Sequence, residues 1–242
     1  MNINILCMKW GTKYSAKYVN RLYNQCIDYI KMPFKFHCIT DDKEGIKDNI
    51  IIHDIIKYGI PKGLWGGEVW TSQKIKAVTD PIFKGKILLL DIDMLILKDW
   101  TEYLSNTIPS KLTVIKSPWV DRDYLHANYG SFNTGVNSSI IFTYSSYRDV
   151  HNIIFDNKYN YNYYSYCYKG LDKTLYNVCN KVIDYLPHKT VYSYNKGHDI
   201  KREKTQLYLP EYNVCLFNNN EYNGTELHDA SGWAKEYWQS YD

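Results

Sequence analysis

The chain has 242 residues, 45% hydrophobic and 23% charged, which excludes wholesale disorder and suits one α/β domain over residues 1–242. Its 29 basic and 26 acidic residues leave a net charge of +3. That is too mild for a dedicated nucleic-acid binder, which concentrates a basic face, yet compatible with a phosphate-bearing substrate.

In chain order, Ile3 to Met8 reads as a buried strand, followed by a turn at Trp10-Gly11-Thr12. Ser15 then caps a helix running to Ile30, with apolar Tyr18, Val19, Leu22, Ile27 and Ile30 on one side. Phe34 to Thr40 is a second strand closed by Asp41-Asp42, and Ile50 to Ile52 a short third. A glycine-rich loop, Pro61 to Gly67, leads into a helix from Val69 to Val78, and then comes the strand that ends at Asp91. This alternation predicts an α/β fold with a mainly parallel sheet and helices on both faces, a Rossmann-like arrangement in the N-terminal half. Ligands in such sheets gather at the carboxyl ends of strands, here Cys7 to Lys13, Thr40 to Asp42 and Asp91 to Asp93.

The second half is less regular. Leu112 to Ile115, Ser139 to Thr143 and Val214 to Phe217 read as strands, and Val150 to Phe155, Leu171 to Cys179 and Trp233 to Trp238 as helices. The run Tyr159 to Tyr168 (YNYNYYSYCY) is read as a loop or lid enriched in tyrosine by codon bias, with an aromatic platform for a sugar or base as the alternative. That bias suits a viral or AT-rich bacterial source. No stretch approaches the length of a membrane span and no apolar leader precedes Lys9, so neither a span nor a signal peptide is expected. The six cysteines show neither CxxC nor zinc spacing and point to a reduced, cytoplasmic setting (host cytoplasm if viral).

The densest chemistry lies in Lys86 to Leu97 (KILLLDIDMLIL). Residues two apart in a strand share a face, so Asp91 and Asp93 can point the same way. Two carboxylates beside Leu90 and Ile92 are costly to bury unless a positive group sits between them. Hard carboxylate oxygens suit Mn²⁺ or Mg²⁺.

Five stretches in order then resemble those of GT-A-fold, DxD-containing glycosyltransferases, above all the glycogenin-like group and small virus- or phage-encoded relatives. They are MKWGTKYS (Met8–Ser15), WTSQKIKA (Trp70–Ala77), DID (Asp91–Asp93), FNTGVNSSIIF (Phe132–Phe142) and GLDKTLYN (Gly170–Asn177). The resemblance implies a metal-dependent transfer of a hexose or pentose from a nucleoside-diphosphate sugar, UDP-sugar favoured, to a hydroxyl acceptor with retention. It divides the chain into a nucleotide-binding half, 1–100, and a sugar- and acceptor-binding half, 101–242.

By the same resemblance, Trp10, Lys13 and Tyr14 meet the nucleotide base, and Lys74 approaches the donor phosphates. Asp91 serves both nucleotide and metal, and Asp93 is the main metal ligand. The donor sugar is held by an asparagine, either Asn133 or the favoured Asn137, and Asp172 faces the reacting carbon. The bare alternative for Asp172 is a helix N-cap. A terminal His-x-x-Gly-x-x-Lys element is matched by HDASGWAK (His228–Lys235) with one residue too many. His228 as third metal ligand and Lys235 as a diphosphate contact therefore compete with a register that puts Asn218 on the metal.

The acceptor is open among glycan, protein, lipid headgroup and a hydroxymethylated pyrimidine of phage or viral DNA. Lys196 to Lys204 offers phosphate contacts for the last, though such a run is more often a solvated loop. Three rival readings remain. A haloacid-dehalogenase-type phosphatase also ends a strand in Asp-x-Asp, but carries Thr or Val where Leu95 stands here. A sugar-nucleotide pyrophosphorylase needs a richer glycine loop than Trp10-Gly11-Thr12. A binding module with a decayed site sits poorly with Lys74, Asp91, Asp93 and Asp172 all being present.

Overall fold

The computed structural model describes residues 2–58, 70–117, 119, 135–156, 158–168, 170–199, 201, 205–217 and 232–241. Its main sheet has seven strands. They are β1 (Ile3–Lys9), β2 (Phe34–Thr40), β3 (Ile51–Asp54), β4 (Lys86–Leu90), β6 (Leu112–Lys116), β7 (Val136–Tyr144) and β8 (Ile183–Tyr185), in the order β3-β2-β1-β4-β7-β6-β8. The pairs β3–β2, β2–β1, β1–β4 and β6–β8 are parallel; β7 runs antiparallel to both β4 and β6. A second sheet of three short strands joins β5 (Met94–Ile96), β10 (Val214–Leu216) and β9 (Val191–Ser193), with β10 in the middle.

The helices are α1 (Ala16–Tyr29), α2 (Trp70–Val78), α3 (Thr101–Asn106), α4 (Asp149–Phe155), α5 (Lys158–Tyr168), α6 (Leu171–Val178) and α7 (Trp233–Gln239). Strand alternation assigns them to two faces. Ile3, Ile5 and Cys7 of β1, Leu88 and Leu90 of β4, and Ile140 and Phe142 of β7 pack with α1, α3 and α7. Leu6 and Met8, Ile87 and Leu89, and Ile141 pack with α2, α4 and α6 on the other face. Because both faces are covered, β4 is buried along its whole length, which is why KILLL shows no polar alternation.

Even Lys86 is only 2% exposed. Its Nζ donates to the carbonyls of Leu104 and Ser105 at 2.7 and 2.6 Å, closing the C-terminus of α3 with a cation at the negative end of the helix. On α1, Gln25 is fully buried and accepts from the Ile96 backbone N–H at 2.7 Å, tying the small sheet to α1.

Three readings are corrected. The tyrosine run is not a loop: it forms α5, held by the stacking of Phe155 on Tyr161, with ring centroids 5.3 Å apart. Asp172 is not an N-cap; Gly170 takes that position, and Asp172 lies in the first turn of α6. The Asp91–Asp93 pair lies just past β4, in a bend joining it to β5. The alternation survives there, with Ile92 buried and both acids partly exposed. All six cysteines are unpaired. No helix among the described residues is long and apolar enough to cross a membrane. The loop Pro61 to Gly67 lies outside the described residues.

Candidate active site

The parallel set β1, β2 and β4 ends at one edge of the sheet, and antiparallel β7 begins there. Leu90 pairs with Ile140, so the residues before Ile140 lie alongside those after Leu90. The β6–β7 register breaks at this point: Val114 faces Ile141, but the next residue, Ile115, faces Asn137. The resulting bulge takes Ser138 and Ser139, next to the paired Asn137, out of register with β6 beside the acidic pair, a common way for a sheet to re-aim groups at its rim. The Asp91 N–H donates to the Ser139 carbonyl at 2.9 Å, fixing the spacing between the two segments.

Lys74 of α2 reaches into this junction. It is 5% exposed, its Nζ lies 2.6 Å from Asp91 Oδ1, and it donates to the Ser138 carbonyl at 3.3 Å. On the other side of the bulge the Ser138 N–H donates to Asp172 Oδ1 at 2.8 Å, while Asn137 Oδ1 accepts from the Ser139 N–H at 3.0 Å. The Asp172 carboxylate therefore bonds to β7 and anchors α6 to the bulge. Burial raises its pKa, opposed by the Ser138 hydrogen bond and the Lys74 charge.

Asp93 is held from two directions. Tyr14 donates its hydroxyl to Asp93 Oδ2 at 3.0 Å, and the Phe217 N–H donates to the Asp93 carbonyl at 3.2 Å. Tyr14 is itself placed by an edge-on contact with Tyr18 at 4.8 Å, which in turn lies 4.8 Å from the ring of buried Trp238 on α7. Burial, reinforced by the neighbouring Asp91 charge, pushes the Asp93 carboxyl up to about 7 against the opposing pull of Tyr14 and Lys74. Two acids that resist sharing their charge mark a place where a cation gains most.

The first loop is tied to the same edge. Gly11 takes a φ of 62°, and its N–H donates to Asp41 at 3.0 and 3.2 Å to the two carboxylate oxygens. Trp10 packs partly buried against the α2 face of the core, and the Lys13 ammonium lies 5.4 Å from the centroid of the Tyr14 ring.

The structure thus brings together Lys74, Asp91, Asp93, Asn137, Asp172 and Tyr14. Lys235 does not join them; it is exposed on α7 and has no contact with that cluster among the described residues. His228, Asn218 and Asn133 lie outside the described residues. Two contributors had not been singled out from sequence: the Ser138 backbone, which serves Lys74 and Asp172 at once, and the Asp41 carboxylate. A bulge has no one-dimensional signature, so Ser138 left no signal. Asp41 was visible only as the end of the second strand.

No group of three or more His, Cys, Asp or Glu among the described residues is arranged to hold a metal ion. Two carboxylates nevertheless fit Mg²⁺ or Mn²⁺, which bind through one or two carboxylates and take further ligands from substrate phosphates and water.

No protein-family profile matches the sequence, and no curated protein matches it either. Solved structures do. The fold is similar to that of the galactosyltransferase LgtC in complex with donor and acceptor sugar analogues, with a TM-score of 0.59 at 13% identity over 98% of this chain and 94% of that one. It is similar to mouse xyloside xylosyltransferase 1, with a TM-score of 0.60 at 11% identity over 90% and 98% of the two chains. Likeness to the glycosyltransferase GlyE of Streptococcus pneumoniae reaches a TM-score of 0.60 at 13% identity, over 98% of this chain and 60% of GlyE. The central sheet with helices on both faces is therefore a GT-A glycosyltransferase fold.

Proposed function

From a GT-A fold with this edge, we propose that the chain is a metal-dependent glycosyltransferase. It moves a hexose or pentose from a nucleoside-diphosphate sugar, UDP-sugar favoured, to a hydroxyl acceptor with retention at the anomeric carbon. One observation carries the reading: Lys74, the Asp91–Asp93 pair and Asp172 meet across a single β-bulge. This is the edge at which α/β sheets bind ligands.

In this reading Asp91 and Asp93 hold Mn²⁺ or Mg²⁺, which when bound acts as a Lewis acid on the diphosphate. Lys74, already fixed between Asp91 and Ser138, places a positive charge where the leaving diphosphate accumulates negative charge. Its position is set before substrate arrives, so little reorganisation is spent on it. Tyr14 orients Asp93, and its ring, with Trp10 and Lys13, offers a surface to the base. Asn137 and the bulge shape the sugar pocket. Asp172 presents a half-buried carboxylate to the sugar as it gains oxocarbenium character, where nearby negative charge is stabilising. Retention is implied by the family resemblance alone.

A thermal-shift screen of nucleotide sugars with Mn²⁺ tests the reading. A donor present at a hundredfold over its Kd stabilises the native state by about 2.7 kcal/mol, and the same donor with a chelator should do markedly less. A panel without any metal-dependent shift would refute it.

A further inference from the structure

Positive charge also gathers at a second place, away from the acidic edge. Lys74 and Lys76 are two residues apart on α2, about 200° around the helix, so they face different sides. Lys76 opens onto a cleft of about 480 Å³ between the end of α2, the 3₁₀ turn Ile55–Tyr58 and the start of α4. Its polar lining comes chiefly from Lys57, Tyr58, Lys76, Asp80, Arg148 and His151.

The acid in this lining is already matched. Asp80 Oδ2 lies 2.7 Å from Lys57 Nζ, and its Oδ1 accepts from the Ile82 N–H at 3.0 Å. Lys76 and Arg148 have no acidic partner among the described residues. Lys76 donates to the Tyr58 carbonyl at 3.2 Å and lies 5.0 Å from the centroid of the Phe155 ring. Arg148 donates to the Thr79 carbonyl, and its Nη2 sits 3.5 Å from His151 Nδ1. The same Nδ1 lies 3.9 Å from Asp156 Oδ1, so His151 stands between the guanidinium and a carboxylate. Beneath them Tyr58 is 4% exposed, with its hydroxyl turned to the Asp80 carboxylate. Burial lowers the pKa of Lys76, the mark of a cation short of counter-charge.

We propose that this cleft binds the phosphate monoester group of a small molecule, with Lys76 and Arg148 as its charged ligands. Two unmatched positive charges balance one dianion, and Arg beside Lys is a usual pairing for phosphate. A nucleic-acid backbone is a poorer occupant, because duplex binding relies on several phosphate contacts spread along a surface. The site is separate from the proposed donor site, so both can be filled at once.

Inorganic phosphate is the probe, titrated calorimetrically at ionic strength held constant with sodium chloride. Wild-type protein should bind it saturably, Lys76→Met at least tenfold more weakly, and Lys35→Met, at an exposed position of β2, as wild type does. A response no better than chloride would overturn the proposal. So would loss of binding in Lys74→Met but not in Lys76→Met, which would put the phosphate at the acidic pair. Lysine acetylation of the unaltered protein, read by mass spectrometry, removes any folding question. Phosphate should slow modification of Lys76 at least fivefold while leaving Lys35 unaffected, and equal rates with and without phosphate would contradict the site. A duplex oligonucleotide that displaces phosphate with a salt dependence of several charges would also overturn it, in favour of a nucleic-acid surface.

Discussion

Replacing Asp172 by Asn and by Ala separates the two jobs the structure gives this side chain. Its Oδ1 accepts from the Ser138 N–H at 2.8 Å and so holds the β7 bulge, while its charge faces the proposed sugar position. An Asn carbonyl can keep the hydrogen bond and lose only the charge. Ala leaves the Ser138 N–H unpaired in a part-buried place, at a cost of about 2 kcal/mol. For a chain of this length that lowers the melting temperature by roughly 4–8 °C. Asn should remain within roughly 2 °C of wild type on the same scale.

Activity should divide differently. Both substitutions remove a charge aimed at the transition state, so kcat in a donor-transfer assay should fall by about 10²–10³ in each. Full activity in Asp172→Asn would refute the electrostatic role and leave Asp172 as a strut for the bulge. Equal destabilisation of the two variants would refute the hydrogen-bond argument instead.

Two further outcomes concern the scaffold. Lys86→Met should lower stability by about 2 kcal/mol in urea unfolding, because it leaves the Leu104 and Ser105 carbonyls without their donor; an unchanged midpoint would show that water replaces it freely. Trp238→Ala should cost about 3–5 kcal/mol, since the indole is 1% exposed, packs on Tyr18 and lies 4.5 Å under the Arg21 guanidinium. Its thermal midpoint checks this, and a shift under 2 °C would contradict the docking of α7 on α1.

Where pattern and burial coincide, the fold could be read from the residues. Ile3 to Met8, Phe34 to Thr40 and Lys86 to Leu90 are apolar runs that became β1, β2 and β4, and the helices expected over 15–30 and 69–78 appear as Ala16–Tyr29 and Trp70–Val78. What escaped was structure made by distant partners. β5, β8 and β9 are three residues each and exist through pairing with β10, β6 and β10 respectively. α5 lacks an apolar stripe because its face is built from tyrosine, and Phe155 of the preceding helix supplies the contact that holds it.

The site shows the same division. Asp91 and Asp93 were legible from their spacing in an apolar run, and Lys74, Asn137 and Asp172 through the resemblance of the stretches that carry them. Their meeting at Ser138 depends on a bulge, a property of two strands together, which one strand's sequence does not carry. Tyr14 was expected at the base, and its hydrogen bond to Asp93 adds a positioning role that only the tertiary structure reveals.

The central claim is that the Asp91–Asp93 pair binds a nucleoside diphosphate through a divalent cation. Calorimetry of the nucleoside diphosphate of whichever donor raises the melting temperature most tests it directly, on wild type and Asp93→Ala, each with Mn²⁺ and with a chelator. Binding should be at least tenfold tighter with Mn²⁺ in wild type, a gain of about 1.4 kcal/mol, with no such gain in Asp93→Ala. Equal affinity with and without Mn²⁺ in wild type, or an undiminished gain in Asp93→Ala, would contradict it.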